Sequence, residues 1–234
     1  MQTREADALG VLQLQNKPMM FKGALSHPET FDFRTITLPV ADAWVSNVVA
    51  GDAGLEHNFI AAANELVRRG ATAITTNCGF AIRYQRAMAR ALSVPVATST
   101  LLIVPFVAAM TGGRVGLLTF DSRPLTADLL RLAGIGDEMR VSIAGLEGTA
   151  TYEIMSRPDA PITVAQVEND LLAAIERLRR DAHDVTALVF ECAGFPVASA
   201  RVRAETRLPV YDVTSMCELL MGGVSPFAAA ASRR

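Results

Sequence analysis

Short apolar segments alternate with amphipathic segments along the whole chain. The apolar segments have the length of buried strands, and the amphipathic ones repeat their apolar positions at the 3.6-residue period of a helix. Strands are predicted at residues 9–14, 44–49, 71–77, 95–98, 114–120, 140–144, 187–191 and 208–212. Helices are predicted at 52–69, 81–92, 100–110, 125–132, 152–155, 164–178, 195–206, 215–221 and 226–231, and a long ordered loop at 19–39.

The second half of the chain repeats the first. A shift of 114 positions places Cys78 on Cys192, each at the end of an apolar strand, and a shift of 106 places Gly10 on Gly116. Alternating strands and helices form parallel sheets that bind ligands at the carboxyl ends of their strands. We therefore expect an α/β fold with two pseudosymmetric lobes, each a roughly four-stranded parallel sheet flanked by helices, and an active site in the cleft between them. The predicted boundaries are 1–100 plus 212–234 for the first lobe and 101–211 for the second.

Composition excludes several classes of function. The net charge is −2 and basic residues form no patch, which argues against nucleic acid and anionic membranes as partners. Residues 91–110 carry no charge, but Pro95 and Pro105 interrupt them, so we interpret them as a buried strand and helix. The charged N-terminus is not a secretory signal, and the three cysteines have neither metal-ligand nor disulfide spacing. We expect a cytoplasmic protein with free thiols and without a metal or cofactor.

The matched cysteines are the candidate catalytic groups. A thiol between a strand end and a helix N-terminus meets unpaired backbone N–H groups, which we expect to lower its pKa. Two thiols on opposite sides of a carbon can remove a proton from one face and deliver one to the other. Cys217 has no counterpart in the repeat and is interpreted as a core residue. His27 and His57 are interpreted as surface or packing residues.

The chain resembles the aspartate/glutamate/hydantoin racemase superfamily through Cys78 and Cys192 with their neighbouring residues. The resemblance implies a cofactor-independent racemase or epimerase that acts at the carbon α to a carboxylate or carbonyl of an amino acid, a hydantoin or a related small acid. It also implies a homodimer or higher homo-oligomer. The substrate-binding residues expected beside the two catalytic thiols are Gln15, Asn77, Gly79, Phe80, Thr119, Phe120, Glu191, Ala193 and Gly194.

The residues after each cysteine depart from the amino-acid racemases of this superfamily. Gly79 and Phe80 stand where those enzymes have Asn-Thr, and Ala193 stands where they have Thr. Aspartate and glutamate are therefore not secure as substrates. Glu191, directly before Cys192, is expected to hold a substrate cation, to tune the thiol, or to end the strand without a role in the reaction.

Two alternatives stay open at the level of sequence. The same scaffold supports cis-trans isomerases of unsaturated diacids and arylmalonate-type decarboxylases. The decarboxylases need only one cysteine. A two-lobed small-molecule binder without turnover is a third hypothesis. Because both cysteines are present, the sequence favours the racemase.

Overall fold

The computed structural model describes residues 7–17, 19–155 and 161–224. Its strands are β1 Ala8–Gln13, β2 Arg34–Pro39, β3 Ala71–Thr76, β4 Val96–Ala97, β5 Arg114–Thr119, β6 Val141–Gly145, β7 Val185–Phe190 and β8 Val210–Tyr211. Its α-helices are α1 Val45–Ala50, α2 Glu56–Arg68, α3 Gln85–Ala91, α4 Val104–Thr111, α5 Ala127–Leu132, α6 Ala150–Met155, α7 Val164–Asp181, α8 Pro196–Thr206 and α9 Val213–Gly222. Short 3-10 helices lie at Ala53–Leu55, Gly79–Tyr84 and Thr100–Ile103. The helix predicted at 226–231 lies outside the described residues.

The strands form two four-stranded sheets of the same topology. The first has the order β2-β1-β3-β4 and the second β6-β5-β7-β8, and all pairs in both sheets are parallel. Each central pair has a register shift at its start, between Ala8 and Leu9 and between Arg114 and Val115. This confirms the predicted α/β fold with two similar lobes, and it places β3 and β7, the strands before the two cysteines, at equivalent positions.

Apolar helix faces cover both sheets. In the first lobe α2 buries Phe59, Ala63 and Leu66 and contacts β1, β2 and β3. In the second lobe α7 contacts β5 and β6. Thr163 caps α7 by accepting a hydrogen bond from the backbone N–H of Gln166, as predicted. None of the helices in the described ranges has the length and apolar character needed to cross a membrane.

Two predictions for the first lobe were wrong. Residues 44–49 do not form a strand: Trp44 precedes α1, and its backbone N–H donates to the side-chain oxygen of Asn47 at 2.9 Å. A short apolar run does not distinguish a strand from a helix, and here the local side-chain cap favours the helix. The end of the 19–39 segment is not a loop, since β2 pairs along the length of β1 there. As an edge strand with partly exposed residues, β2 lacks the continuous apolar run that marks a central strand.

The C-terminal helix α9 contacts β3 and β4 of the first sheet and β8 of the second. Asp212 begins α9 by accepting hydrogen bonds from the backbone N–H groups of Thr214 and Ser215. These contacts favour the assignment of the C-terminal segment to the first lobe. The lobe boundaries themselves stay a prediction.

The fold yields a stability prediction at Phe59, which is fully buried and stacks on Tyr84 with ring centroids 4.7 Å apart. Phe59→Ala leaves a cavity between α2 and the 3-10 helix that follows Cys78, so we expect it to lower the free energy of unfolding by about 3–5 kcal/mol. Urea denaturation measures the loss. Leu219→Ala is the control, because Leu219 is exposed on α9 and its truncation should change stability by less than about 0.5 kcal/mol. Equal effects of the two changes would contradict the described core.

Candidate active site

Both predicted catalytic cysteines line one cavity of about 550 Å³. Cys78 follows β3 in the first lobe, Cys192 follows β7 in the second, and each keeps partial exposure. The cavity therefore lies at the carboxyl ends of two equivalent strands, where parallel sheets place ligands.

Backbone geometry fixes both cysteines. Cys78 precedes the 3-10 helix Gly79–Tyr84, and its carbonyl accepts a hydrogen bond from the Thr76 hydroxyl at 2.9 Å. The carbonyl of Cys192 accepts from the backbone N–H of Phe195 at 3.1 Å, and Phe195 is fully buried. Each thiol is thus held by a tight turn anchored in the core of its own lobe.

The expected lowering of the thiol pKa was wrong. Burial, followed by the nearby Glu191 carboxylate, raises the pKa of the Cys78 thiol to about 12. The same two causes raise the pKa of the Cys192 thiol. Backbone N–H groups act in the predicted direction, those of Phe80 and Ala81 on Cys78 and that of Gly194 on Cys192, but burial outweighs them. Both cysteines are therefore neutral thiols at neutral pH.

The residues before the two cysteines, Asn77 and Glu191, are equivalent in the repeat and are held by equivalent backbone hydrogen bonds. The N–H of Asn77 donates to the carbonyl of Leu12 at 3.0 Å, and that of Glu191 donates to the carbonyl of Leu118 at 2.8 Å. The Asn77 side chain accepts from the backbone N–H of Leu14 at 2.9 Å and so secures the end of β1. Among the described residues, the Glu191 side chain accepts no hydrogen bond from a backbone N–H, and Glu191 lines the cavity.

Glu191 is 2% exposed. Its Oε2 accepts a hydrogen bond from the Thr119 hydroxyl at 2.8 Å, and its Oε1 is buried without a hydrogen-bond partner among the described residues. Burial raises the pKa of the Glu191 carboxyl to about 7, and the hydrogen bond from Thr119 opposes the shift. An unpaired carboxylate is costly in such surroundings, so the group holds a proton below neutral pH.

Gly79 makes room for this carboxyl group. A Cβ atom at Gly79 would lie 2.1 Å from Oε1 of Glu191 and 2.8 Å from its backbone oxygen. Only glycine fits between the turn after Cys78 and the side chain that precedes Cys192. The departure from the familiar pattern at Gly79 is therefore the steric counterpart of Glu191.

The remaining walls are largely apolar. Phe80 is buried, and Phe120 stacks on Tyr152 with ring centroids 4.7 Å apart. Trp44 and Met19 contribute from the first lobe and its loop. The charged residues in the lining, apart from Glu191, are Lys17 and Asp121, and Asp121 pairs with Arg123 at 2.5 Å.

The predicted site residues come together in this lining with two exceptions. Gln15 is exposed outside it and donates through its side chain to the carbonyl of Val40 at 2.7 Å, so its neighbour Asn16 lines the cavity instead. Thr119 is fully buried and reaches the site only through Glu191. Those in the lining are Asn77, Cys78, Gly79, Phe80, Phe120, Glu191, Cys192, Ala193 and Gly194.

Sequence reasoning missed the residues that reach the cavity from outside the repeat. The loop predicted at 19–39 contributes a first group. The signal for this group was that the loop is long and has no periodic pattern, which is typical of functional loops. The start of α1 contributes a second, for which the sequence offered none. The missed lining residues include Lys17, Met19, Ser26, Trp44, Ser46, Asp121 and Met155. No group of three His, Cys, Asp or Glu side chains in the described part of the chain has the geometry to hold a metal ion.

The chain belongs to the Asp/Glu/Hydantoin racemase family, whose profile matches residues 24–217. This confirms the family to which the paired cysteines pointed.

Among curated proteins, the chain is similar to dimethylsulfoniopropionate lyase 3 of Emiliania huxleyi (strain CCMP1516). The two are 26% identical over an alignment of 228 residues, and this alignment covers 93% of this chain but only 60% of the relative. Among solved structures, unliganded arylmalonate decarboxylase superposes with a TM-score of 0.61 at 14% identity, covering 97% of this chain and 96% of that one. The maleate isomerase Iso from Pseudomonas putida S16 superposes with a TM-score of 0.61 at 20% identity, covering 94% and 93%. These two likenesses show the fold.

The contact between Gly79 and Glu191 yields a prediction. We expect Gly79→Ala to lower the free energy of unfolding by about 1–3 kcal/mol, because its methyl group overlaps the carboxyl group. Glu191→Ala in the same chain should restore part of the loss, and a double-mutant cycle by urea denaturation measures the coupling. Gly222→Ala is the control, since a Cβ there meets nothing within 4 Å. Strict additivity of the two changes would contradict the contact.

The Glu191 carboxyl yields a second prediction, for stability against pH. Its pKa is about 7 in the folded chain against an ordinary value of 4.5, so the folded state holds the proton more tightly than the unfolded state. The stabilisation is complete below pH 4.5 and is lost as the pH rises to about 7, a loss of about 3 kcal/mol. We expect unfolding measurements across this window to show the decline in the native protein but not in Glu191→Gln. Parallel curves for the two proteins would contradict the assignment.

Proposed function

We propose that this protein is a cofactor-independent racemase or epimerase in which Cys78 and Cys192 transfer protons at the carbon α to a carboxylate or carbonyl. The observation that carries the proposal is that two thiols from equivalent positions of two similar lobes line the same cavity. A single thiol serves one face of a carbon centre, and inversion requires a group on each face.

The reaction needs one thiolate and one thiol. The thiolate takes the α-proton from one face, and the electron pair of the C–H bond passes into the adjacent carbonyl or carboxylate as an enolate. The opposite thiol then gives its proton to the other face, and the two sulfurs have exchanged protonation states. In the reverse direction the two cysteines exchange roles.

The turns after the cysteines supply the anion-stabilising groups. Gly79 and Ala193 line the same cavity, and in this proposal the backbone N–H groups of the two turns bind a substrate carboxylate and stabilise the developing enolate. Lys17 adds a cation to the lining. A bound carboxylate places its α-carbon near both strand ends, which is the arrangement that two-faced proton transfer requires.

The raised thiol pKa values set a condition on this proposal. Because burial disfavours a thiolate, the proposal requires that the thiolate forms when substrate is bound and the donors are engaged. An enclosed apolar wall also strengthens each hydrogen bond to the developing charge.

A second candidate is β-elimination, which the likeness to a dimethylsulfoniopropionate lyase favours. In a substrate with a positively charged sulfonium group on the β-carbon, one thiolate would take the α-proton. The electron pair of the C–H bond would then form the C=C bond, and the electron pair of the bond between the β-carbon and sulfur would leave with the sulfur as a neutral sulfide. This route shares its first step with racemisation and needs one thiol as base.

Cytoplasmic location and homo-oligomer formation stay predictions.

Incubation with small acids in D2O tests the proposal. The panel holds single enantiomers of amino acids, hydantoins and 2-substituted acids, and it includes dimethylsulfoniopropionate, maleate and an arylmalonate. We expect deuterium at the α position together with loss of optical activity for at least one member, measured by NMR and polarimetry. Cys78→Ala and Cys192→Ala should each lower racemisation by at least about 100-fold, the typical contribution of one acid/base group.

The products decide between the candidate reactions. An alkene with a released sulfide would favour elimination, CO2 would favour a decarboxylase, and conversion of maleate to its trans isomer would favour the isomerase. Racemisation that survives loss of either cysteine would overturn the two-thiol proposal. Cys217→Ala is the control and should leave turnover unchanged, because Cys217 is fully buried on α9 outside the cavity lining.

A further inference from the structure

One carboxyl group contacts the segments that carry both thiols. Glu191 is bonded to Cys192 along the chain, and its Oε1 packs against Gly79, the residue after Cys78. The Thr100 hydroxyl, from the segment after β4, donates to the carbonyl of Phe190 at 2.8 Å and so fixes the end of β7. The carboxyl group therefore has a defined place next to both cysteine turns.

The hydrogen bonding of the same group is incomplete. Its Oε2 has the Thr119 hydroxyl, while Oε1 is buried with no partner in the described residues. The equivalent residue, Asn77, uses its side-chain oxygen to hold the backbone of β1. A purely structural strand end would be satisfied in the same way, so the open oxygen points to a role in the site.

We propose that Glu191 is a positioning residue shared by the two thiols: the enclosed region holds one negative charge, and a proton on the Glu191 carboxyl allows either thiol to ionise. This deepens the proposed function, in which a thiolate is the base. With Glu191 ionised, a second negative charge on either sulfur meets like-charge repulsion at short range in a poorly solvated site. With Glu191 neutral, that repulsion is absent for both sulfurs at once.

The surrounding charges are consistent with this coupling. The Glu191 carboxylate raises the pKa of both Cys78 and Cys192. Cys78 also raises the pKa of the Cys192 thiol. The Tyr84 hydroxyl is coupled to Cys78 too, and its own pKa is raised chiefly by burial. The further charged groups in the lining are Lys17 and Asp121, of which Asp121 is paired with Arg123.

Alkylation of the cysteines measures thiolate formation without substrate. Each cysteine lies on its own tryptic peptide, 70–83 for Cys78 and 181–201 for Cys192, so mass spectrometry follows both in one sample. Iodoacetamide rates are measured from pH 6 to 9 for the native protein and Glu191→Gln. We expect equal rates at pH 6, where Glu191 is neutral, and a rise of at least about tenfold for both peptides in the variant at pH 9.

The pH dependence separates this coupling from loosened structure. In the native protein the rates should rise by less than tenfold per pH unit between 7 and 9, because ionisation of Glu191 makes the thiols less acidic. In Glu191→Gln they should follow the full tenfold slope. A variant that merely opens the site raises the rates by one constant factor at every pH, and that result would overturn the proposal.

Thr119→Val supplies a second variant. It removes the hydroxyl that favours the ionised carboxylate, so Glu191 stays neutral to higher pH. Both peptides should react faster than in the native protein just above pH 7 and at the native rate at the highest pH. Thr119→Ser should retain native behaviour. If Glu191→Gln does not fold, the alkylation rates of Thr119→Val decide the question. If neither cysteine, or only one of them, reacts faster than in the native protein just above pH 7, shared control is refuted.

Glu147→Gln is the matched control for the chemical change. Glu147 lies in the same lobe, outside the cavity lining, and its carboxylate accepts from the Ser122 hydroxyl at 2.6 Å. We expect its alkylation profiles to match the native ones. The alkylation kinetics involve no turnover. If the native protein and Glu191→Gln show the same pH dependence of alkylation, only the role of Glu191 is refuted, whereas a lack of racemisation would refute only the proposed function.

Discussion

The site depends on one steric fit, the packing of the Glu191 carboxyl group against Gly79. The fit joins the end of β7 to the turn after β3, so it sets how closely the two cysteine segments approach. It also accounts for the glycine at position 79, because the Glu191 carboxyl group fills the space that a side chain there would occupy. Residues from two separate parallel sheets thereby line one cavity.

Competition between burial and local dipoles decides the state of the thiols. The sequence places each cysteine beside backbone N–H groups, and those groups do stabilise the thiolate. Burial of the sulfur and a like charge at Glu191 act against them and prevail, because each N–H contributes modestly while desolvation applies to the whole charge. Neutral thiols react slowly with alkylating agents and oxidants, and in the proposed reaction a bound substrate shifts the balance toward the thiolate.

Sequence reasoning succeeded where a repeat or a long period constrained the chain. The shift that relates Cys78 to Cys192 predicted the paired sheets and the position of both thiols at equivalent strand ends. It failed for α1 and β2, where six-residue segments carry too little pattern to separate strand from helix or loop. It also placed Thr119 in direct contact with substrate, although Thr119 lies behind Glu191, because a linear motif does not reveal which side chain stands in front.

The division between repeated and unrepeated residues also separates chemistry from specificity. The proposed proton transfer needs a symmetric pair of groups, and the duplicated strands place Cys78 and Cys192 in equivalent positions of one cavity. Substrate choice needs asymmetry, and that comes from segments outside the repeat, such as Met19 on the loop and Trp44 at the start of α1. One pair of lobes can therefore support racemisation, elimination, isomerisation or decarboxylation among its relatives. In this chain Glu191 is the exception, since it occupies the repeated position of Asn77 but carries a charge, and that charge acts on both thiols.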